Sequence, residues 1–309
     1  MCKTKNVVAF GTLREDLLLQ YDFTTPIGGD EIKIGDYKSV VGGSVFNTCT
    51  FLSDYYHAID ITLFSLNYVV LTDGMLQFCQ KYHNYNINYA ETAIDSRPLS
   101  IIGIKEDGDK NIISCDKAID GSEVIDLLSK KIEDFHLLYT SFYEVNTANY
   151  MSIVQLFADY MKIKKTVMID LCPLLSLLSG EMLTKILSSV TVLSGNESEY
   201  QLLLRILELE DIENILKIFR NISLLWIKKG EKGGAVITRK NEKNINSYHK
   251  YESVITTNIK AKNTTGCGDA FNAVVICGLV NGWELQHIID EAVNVGKKIA
   301  LGGFSWIGE

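Results

Sequence analysis

Proline is scarce in this chain, with three residues in 309. There is no low-complexity tract and no internal repeat, so no proline-rich linker or solenoid divides it. The seven cysteines, Cys2, Cys49, Cys79, Cys115, Cys172, Cys267 and Cys277, include no C-x-x-C pair and are odd in number. That argues against a disulfide framework and against a structural zinc site. Most lie in apolar runs, where a buried free thiol is ordinary. Positive charge is also short: 30 Lys and Arg against 38 Asp and Glu leave a net charge of -8. A general nucleic-acid binder needs a basic face, so that class is set aside. No uninterrupted apolar run approaches the roughly 20 residues that span a bilayer. The first thirteen residues carry no cleavage-site pattern. The expectation is a cytoplasmic protein with no membrane and no nucleic-acid partner.

What is present is a hydrophobic fraction of 47%, enough for a large core. Short apolar runs at residues 6–11, 60–66, 136–142, 166–171, 189–195 and 223–228 predict buried strands. Helical periodicity fills the intervals at 72–80, 122–132, 147–161, 197–209, 211–220 and 283–301. This alternation predicts an α/β domain over residues 1–309, with a mostly parallel central sheet flanked by helices. Two stretches break the rule by alternating polar and apolar residues, 31–41 and 99–114, the second around the turn Glu106-Asp107-Gly108-Asp109. They predict a small β-strand lid inserted at about 17–41 and 95–116, over the sheet edge where open parallel sheets bind ligands.

The run Asn263-Thr264-Thr265-Gly266-Cys267-Gly268-Asp269 precedes an apolar helical stretch, Ala270 to Leu279. A glycine-rich turn at a helix N-terminus offers unpaired N–H groups and the positive end of the helix dipole to an anion. Asp269 beside that turn admits two readings from spacing alone. It is a helix cap, or it is a base that takes a proton from an attacking hydroxyl while the N–H groups hold a transferring phosphoryl group. No G-x-x-x-x-G-K-[ST] occurs, and Gly266-x-Gly268 lacks the third glycine of a dinucleotide fingerprint.

Asn-Thr-Thr-Gly-Cys-Gly-Asp-Ala-Phe resembles the D-T-x-G-A-G-D signature of the PfkB carbohydrate kinases, or ribokinase family. Further segments follow in the order that family shows. Gly11 to Asp16 resembles its early G-x-x-x-x-D stretch, and Gly42-Gly43-Ser44-Val45-Phe46-Asn47 its G-G-x-x-x-N. Asn196-Glu197-Ser198-Glu199 resembles N-x-x-E, and Lys228-Lys229-Gly230-Glu231-Lys232-Gly233 the nucleotide-side loop with G-x-x-G. The resemblance implies a ribokinase-like fold and ATP with Mg²⁺. It implies Asp269 as catalytic base and an anion hole at Gly266, Cys267 and Gly268. Substrate contacts would come from Asp16, Gly42, Gly43 and Asn47, and nucleotide contacts from Asn196, Lys228, Gly230, Gly233, Thr265 and Asn294. Glu199 would meet magnesium through water. Each has a plainer alternative: a surface carboxylate at Asp16, a turn at Gly42-Gly43, a capping box at Asn196 and Glu199, a hairpin turn at Gly230 and Gly233, a helix-surface amide at Asn294. Arg97 could meet an anionic substrate or simply solvent.

Some positions depart from the family pattern. Asn263 stands where the family has Asp, which removes the charge near its monovalent-cation site. The second-strand stretch, 67–74, keeps only Asp73-Gly74, and Cys172 replaces Asn in Asp170-Leu171-Cys172-Pro173. The expected activity is ATP-dependent phosphorylation of a primary hydroxyl of a small sugar. The alternatives are a nucleoside kinase of the same family and a catalytically silent sugar or nucleotide sensor. A phosphosugar acceptor is disfavoured, because Ser44 to Asn47 bring no positive charge to the acceptor loop. Homodimerisation through exposed lid edges is a further expectation.

Overall fold

A computed structural model describes residues 5–19, 37–67, 84–89, 98–105, 110–115, 119–241, 244–256, 261 and 264–302. The helix expected at 72–80, Asp73-Gly74, Arg97, Asn263 and the turn at 106–109 lie outside those residues, as does most of the stretch 31–41.

The buried apolar runs form parallel strands. β1 (Lys5–Gly11) lies inside the large sheet, between the strands Leu137–Ser141 and Ile59–Ser65, and β2 (Arg14–Leu19) and β3 (Tyr37–Gly42) follow it in the chain. Next come β4 (Ile59–Ser65), β5 (Tyr85–Tyr89), β6 (Leu99–Ile104) and β7 (Lys110–Cys115). β8 (Leu137–Ser141), β9 (Thr166–Asp170), β10 (Val192–Asn196) and β11 (Leu224–Lys228) continue the parallel set. β12 (Gly234–Asn241) and β13 (Asn244–Ser253) close it. The large sheet runs β13-β12-β11-β10-β9-β8-β1-β4-β5, parallel throughout except for the antiparallel β12 and β13. A second sheet runs β3-β2-β6-β7.

Strand alternation sends Val8 and Phe10 of β1 to one face and Val7 and Ala9 to the other, and all four are fully buried. Helices cover both faces. α1 (Ser44–Tyr55) packs on one face; α2 (Ser122–Ser129), α3 (Tyr150–Lys162), α4 (Gly180–Leu187), α5 (Glu197–Ile206) and α6 (Glu213–Ile218) follow it in the chain. α7 (Cys267–Asn281) is apolar nearly all round, because it lies between α1, α8 (Leu285–Ala300) and the sheet. It ends at Gly282, whose left-handed conformation (φ 69°) lets its one N–H reach the Gly278 and Leu279 carbonyls of the last turn.

Three strands depart from the sequence expectation. β2 begins at Arg14, only two residues after β1, so the small sheet starts earlier than residue 17. β5 and β13 are edge strands rich in Asn, Lys and Ser, and lack the apolar content that marks buried strands. The helix starts expected at 147, 211 and 283 fall two or three residues late, at 150, 213 and 285.

Candidate active site

Between the inner face of the small sheet and the carboxyl edge of the large one lies a cavity of about 1290 Å³. β9, β10 and β11 end there on Asp170, Asn196 and Lys228. The small sheet contributes alternate residues: Arg14 and Asp16 of β2, Ser100 and Ile102 of β6, Lys110 and Ile112 of β7. The start of α7 closes one wall with Thr265 to Asp269.

Asp269 occupies the first turn of α7 but does not cap it; the residue preceding the helix is Gly266, left-handed at φ 82° and without a side-chain cap bond. Its carboxylate instead accepts hydrogen bonds from Ser44 Oγ at 2.9 Å and Asn47 Nδ2 at 3.1 Å, both on α1. Packing strips water from the group and pushes its pKa up to about 6, against the Lys110 cation and these two donors, which pull it down. A carboxyl at that value is ionised at neutral pH yet basic enough to accept a proton.

α1 reaches Asp269 because of the two residues before it. Gly43 has φ 113°, and a β-carbon there would strike the Thr12 carbonyl. Gly42 faces Asp16 so closely that a β-carbon would collide with Oδ2. Gly42 is therefore absent from the cavity lining; it makes room for Asp16, which is 7% exposed and lines the cavity with Gly43 and Asn47. Burial raises the Asp16 pKa, against Ser100, Arg14 and Lys110.

At the other end, Asn196 caps α5. Its side chain accepts the Glu199 N–H at 2.9 Å, and Glu199 Oε2 accepts the Asn196 N–H at 2.8 Å. The capping box and the cavity position coincide, since both residues also line the cavity. Burial and the Asp170 charge lift the Glu199 pKa to about 7, with Lys228 opposing. Lys228 Nζ donates to Asp170 Oδ1 at 2.6 Å. Burial works against its charge, but Asp170, Glu199 and Asp269 outweigh it and hold the pKa above the usual value. Gly230 and Gly233 turn the chain from β11 into β12 and line the same wall as Thr265. Burial pushes the Cys267 thiol up to about 11, so it is uncharged.

Asn294 is placed elsewhere. It points to solvent on α8, whereas Ala292, Val293, Gly296, Lys297 and Ala300 of that helix line the cavity. The sequence reading also missed Arg14, Lys110, Tyr143 and Glu144, all of which line the cavity. Arg14 and Lys110 bring to the acceptor end the positive charge that the α1 loop lacks. Period-two alternation in β7 could have signalled Lys110. Glu144, 5% exposed and bonded by Thr12 Oγ1, carries no local signal.

A polar chain runs beneath the site. Tyr139 OH bonds Thr48 Oγ1 at 3.1 Å and accepts from Asn272 Nδ2 at 3.2 Å; Ser194 Oγ donates to Asn272 Oδ1 at 2.6 Å. All four residues are fully buried and join α1, β8, α7 and β10.

Among the described residues, no group of three His, Cys, Asp or Glu is placed to hold a metal ion directly. Asp170 is engaged by Lys228, and Glu199 by the Asn196 backbone. That donor set fits a magnesium ion that keeps its water and is held by phosphates, rather than a dry protein cage. No described helix is long and apolar enough to cross a membrane.

The sequence matches the pfkB family carbohydrate kinase across residues 5–301. A search of curated proteins finds no match. Solved structures share the fold. Adenosine kinase from Schistosoma mansoni superposes with a TM-score of 0.76 at 14% identity, covering 98% of this chain and 96% of the other. Ribokinase from Thermotoga maritima gives 0.73 at 16%, covering 96% and 92%. The Methanocaldococcus jannaschii nucleoside kinase, an archaeal member of the ribokinase family, gives 0.71 at 17%, covering 96% and 91%. The architecture is ribokinase-like.

Proposed function

From the premise that this chain belongs to the pfkB family of carbohydrate kinases, we propose that it moves the γ-phosphoryl group of ATP to a primary hydroxyl of a small sugar. It is a phosphotransferase acting on the hydroxyl group of a sugar or nucleoside. One observation carries the mechanism: the Asp269 carboxylate, pKa about 6, held by Ser44 and Asn47 beside the bare N-terminus of α7. Asp269 takes the proton of the acceptor hydroxyl. The acceptor oxygen forms its bond to phosphorus as the bond to the β-phosphate bridging oxygen breaks, and that electron pair leaves with ADP. The N–H groups of Gly266, Cys267 and Gly268 offset charge on the transferring group. Asp16, Gly43 and Asn47 orient the acceptor, while Gly42 sets the position of Asp16. Asn196, Lys228, Gly230, Gly233 and Thr265 serve the nucleotide; Asn294, facing solvent, is dropped from that set. Glu199 would hold hydrated magnesium, which supplies charge neutralisation on the phosphates when bound. The small sheet acts as a lid that excludes water, so that ATP is not hydrolysed. Its outer edges, with Ile113 46% and Tyr37 69% exposed, suit pairing with a second copy.

A nucleoside acceptor is the second reading. Ile102 and Ile112 pair across β6 and β7 on the cavity side, an apolar surface suited to the face of a base. Adenosine and nucleoside kinases are also among the structural neighbours. ADP release across a panel of sugars and nucleosides separates the two. No release with any acceptor, alongside ligand-induced thermal shifts, would overturn the kinase reading in favour of a sensor.

A further inference from the structure

We propose that Lys228 is a further catalytic residue, its ammonium meeting the transferring phosphoryl group at the N-terminus of α7, with Asp170 as its positioning residue. The inference rests on the kinase reading and goes beyond general nucleotide contact. Lys228 ends β11 and its side chain is 14% exposed, toward the cavity. Its one hydrogen bond among the described residues goes to Asp170 Oδ1, at 2.6 Å. An ammonium has three donors, so two remain for a ligand. The start of α7 is within their reach: a β-carbon built on Gly268 would lie 3.6 Å from Nζ, so no side chain stands between the ammonium and the first N–H groups of α7. An anion seated on that helix terminus meets the ammonium as well.

Charge balance calls for the same role. Asp170, Glu199 and Asp269 surround Lys228 and would repel a polyphosphate if left alone. A buried ion pair is a poor source of stability, because desolvating both ions offsets their attraction. Its value here lies in presenting a cation, locked in direction, where negative charge gathers during transfer. Lys228 moves no proton. It remains charged from the bound nucleotide through to ADP.

Calorimetric binding of ADP and of a non-hydrolysable ATP analogue with an imido β,γ bridge, both with Mg²⁺, tests the assignment on the full chain. Lys228→Met should weaken the analogue about 10- to 100-fold and change ADP by less than about threefold, because only the analogue carries the contacted group. Turnover should fall about 100-fold or more, with Lys228→Arg recovering part of it. Asp170→Asn should move the alkaline limb of kcat to lower pH, since Lys228 loses a neighbour that holds its proton; a purely structural role leaves that limb in place. Should Lys228→Met fail to fold with its carboxylates unpaired, Asp170→Asn/Lys228→Met removes both charges and carries the same comparison. Equal weakening of both nucleotides, or undiminished turnover, would overturn the assignment while leaving the kinase reading intact. A wild-type protein that neither turns over nor binds either nucleotide would overturn both.

Discussion

Replacing Asp269 with Asn should produce a protein that is more stable and almost inactive. Asn has the same shape, and its amide can accept from Asn47 and donate to Ser44 Oγ, so both hydrogen bonds have a counterpart. What disappears is a charge held in a poor place. The carboxyl moves from 3.8 to about 6 on folding, a difference worth roughly 3 kcal/mol. Asp269 keeps partial exposure to the cavity, which discounts the figure to roughly 2 kcal/mol. The sign follows from proton counting. Between pH 3.8 and about 6 the folded state holds more of this proton than the unfolded state, so wild-type stability declines with rising pH across that window. The penalty is complete above it. The Asn variant lacks the decline, so at pH 8 its melting temperature should be higher by roughly 3 °C, given the unfolding entropy of a chain this long. The gap should narrow as the pH is lowered through 6 toward 4. Turnover at pH 8 should fall roughly 100- to 10,000-fold, as for loss of a general base, and the ratio to wild type should shrink below about pH 6, where wild-type Asp269 is itself protonated. Calorimetric scans from pH 5 to 8, paired with ADP-release assays, read both effects. A variant less stable than wild type at pH 8, or one with near-normal turnover, would refute the reasoning.

Other outcomes follow from neighbouring contacts. In wild type, kcat/KM for the acceptor should fall as pH drops through about 6, where Asp269 takes up its proton. Lys110→Met removes a cation that holds this pKa down, so the acid limb should shift to higher pH; an unmoved limb would separate Lys110 from the base. Gly42→Ala would drive a methyl into the Asp16 carboxylate, and kcat/KM for the acceptor should fall about 10- to 100-fold with the ATP KM unchanged. Asn272→Ala leaves Ser194 Oγ without its buried acceptor and Tyr139 OH with Thr48 alone, at a cost of roughly 1–3 kcal/mol. A urea titration should show that loss as a lower midpoint at unchanged slope.

The central parallel strands were legible because both their faces are buried. Runs such as Val7 to Phe10 or Leu137 to Tyr139 contain almost nothing polar, and that content is visible without neighbours. The edges were not. Asn86 and Asn88 of β5, or His249 and Lys250 of β13, are polar because an edge strand is open to water, and their pairing is decided by the adjacent strand. Much the same holds for the site. The glycine-rich turn and the N-x-x-E capping box are local patterns, so their residues could be named in advance. Arg14 and Lys110 enter the cavity only because the small sheet lies over it, and Glu144 because the turn after β8 brings it to Thr12. Asn294 lies on the exposed side of α8 while Val293 and Lys297, four residues apart, line the cavity, and which stripe faces inward is set by how α8 packs on α7 and β13.

The chain from Thr48 through Tyr139 and Asn272 to Ser194 has a consequence for how this protein can be altered. Each member satisfies the next, so none can be exchanged singly without stranding a hydroxyl or an amide, and the spacing of α1 from α7 resists drift. The small sheet is built on another plan. Its strands are joined through the main chain, and Ile102, Ile112 and Ser114 only hang from it into the cavity, whereas Ser100 Oγ is engaged by Arg14 Nε and Asp16. Those three positions, Ile102, Ile112 and Ser114, can be exchanged without disturbing a hydrogen-bonded pair of strands. Attempts to redirect the enzyme to another acceptor should begin with them and leave the floor untouched.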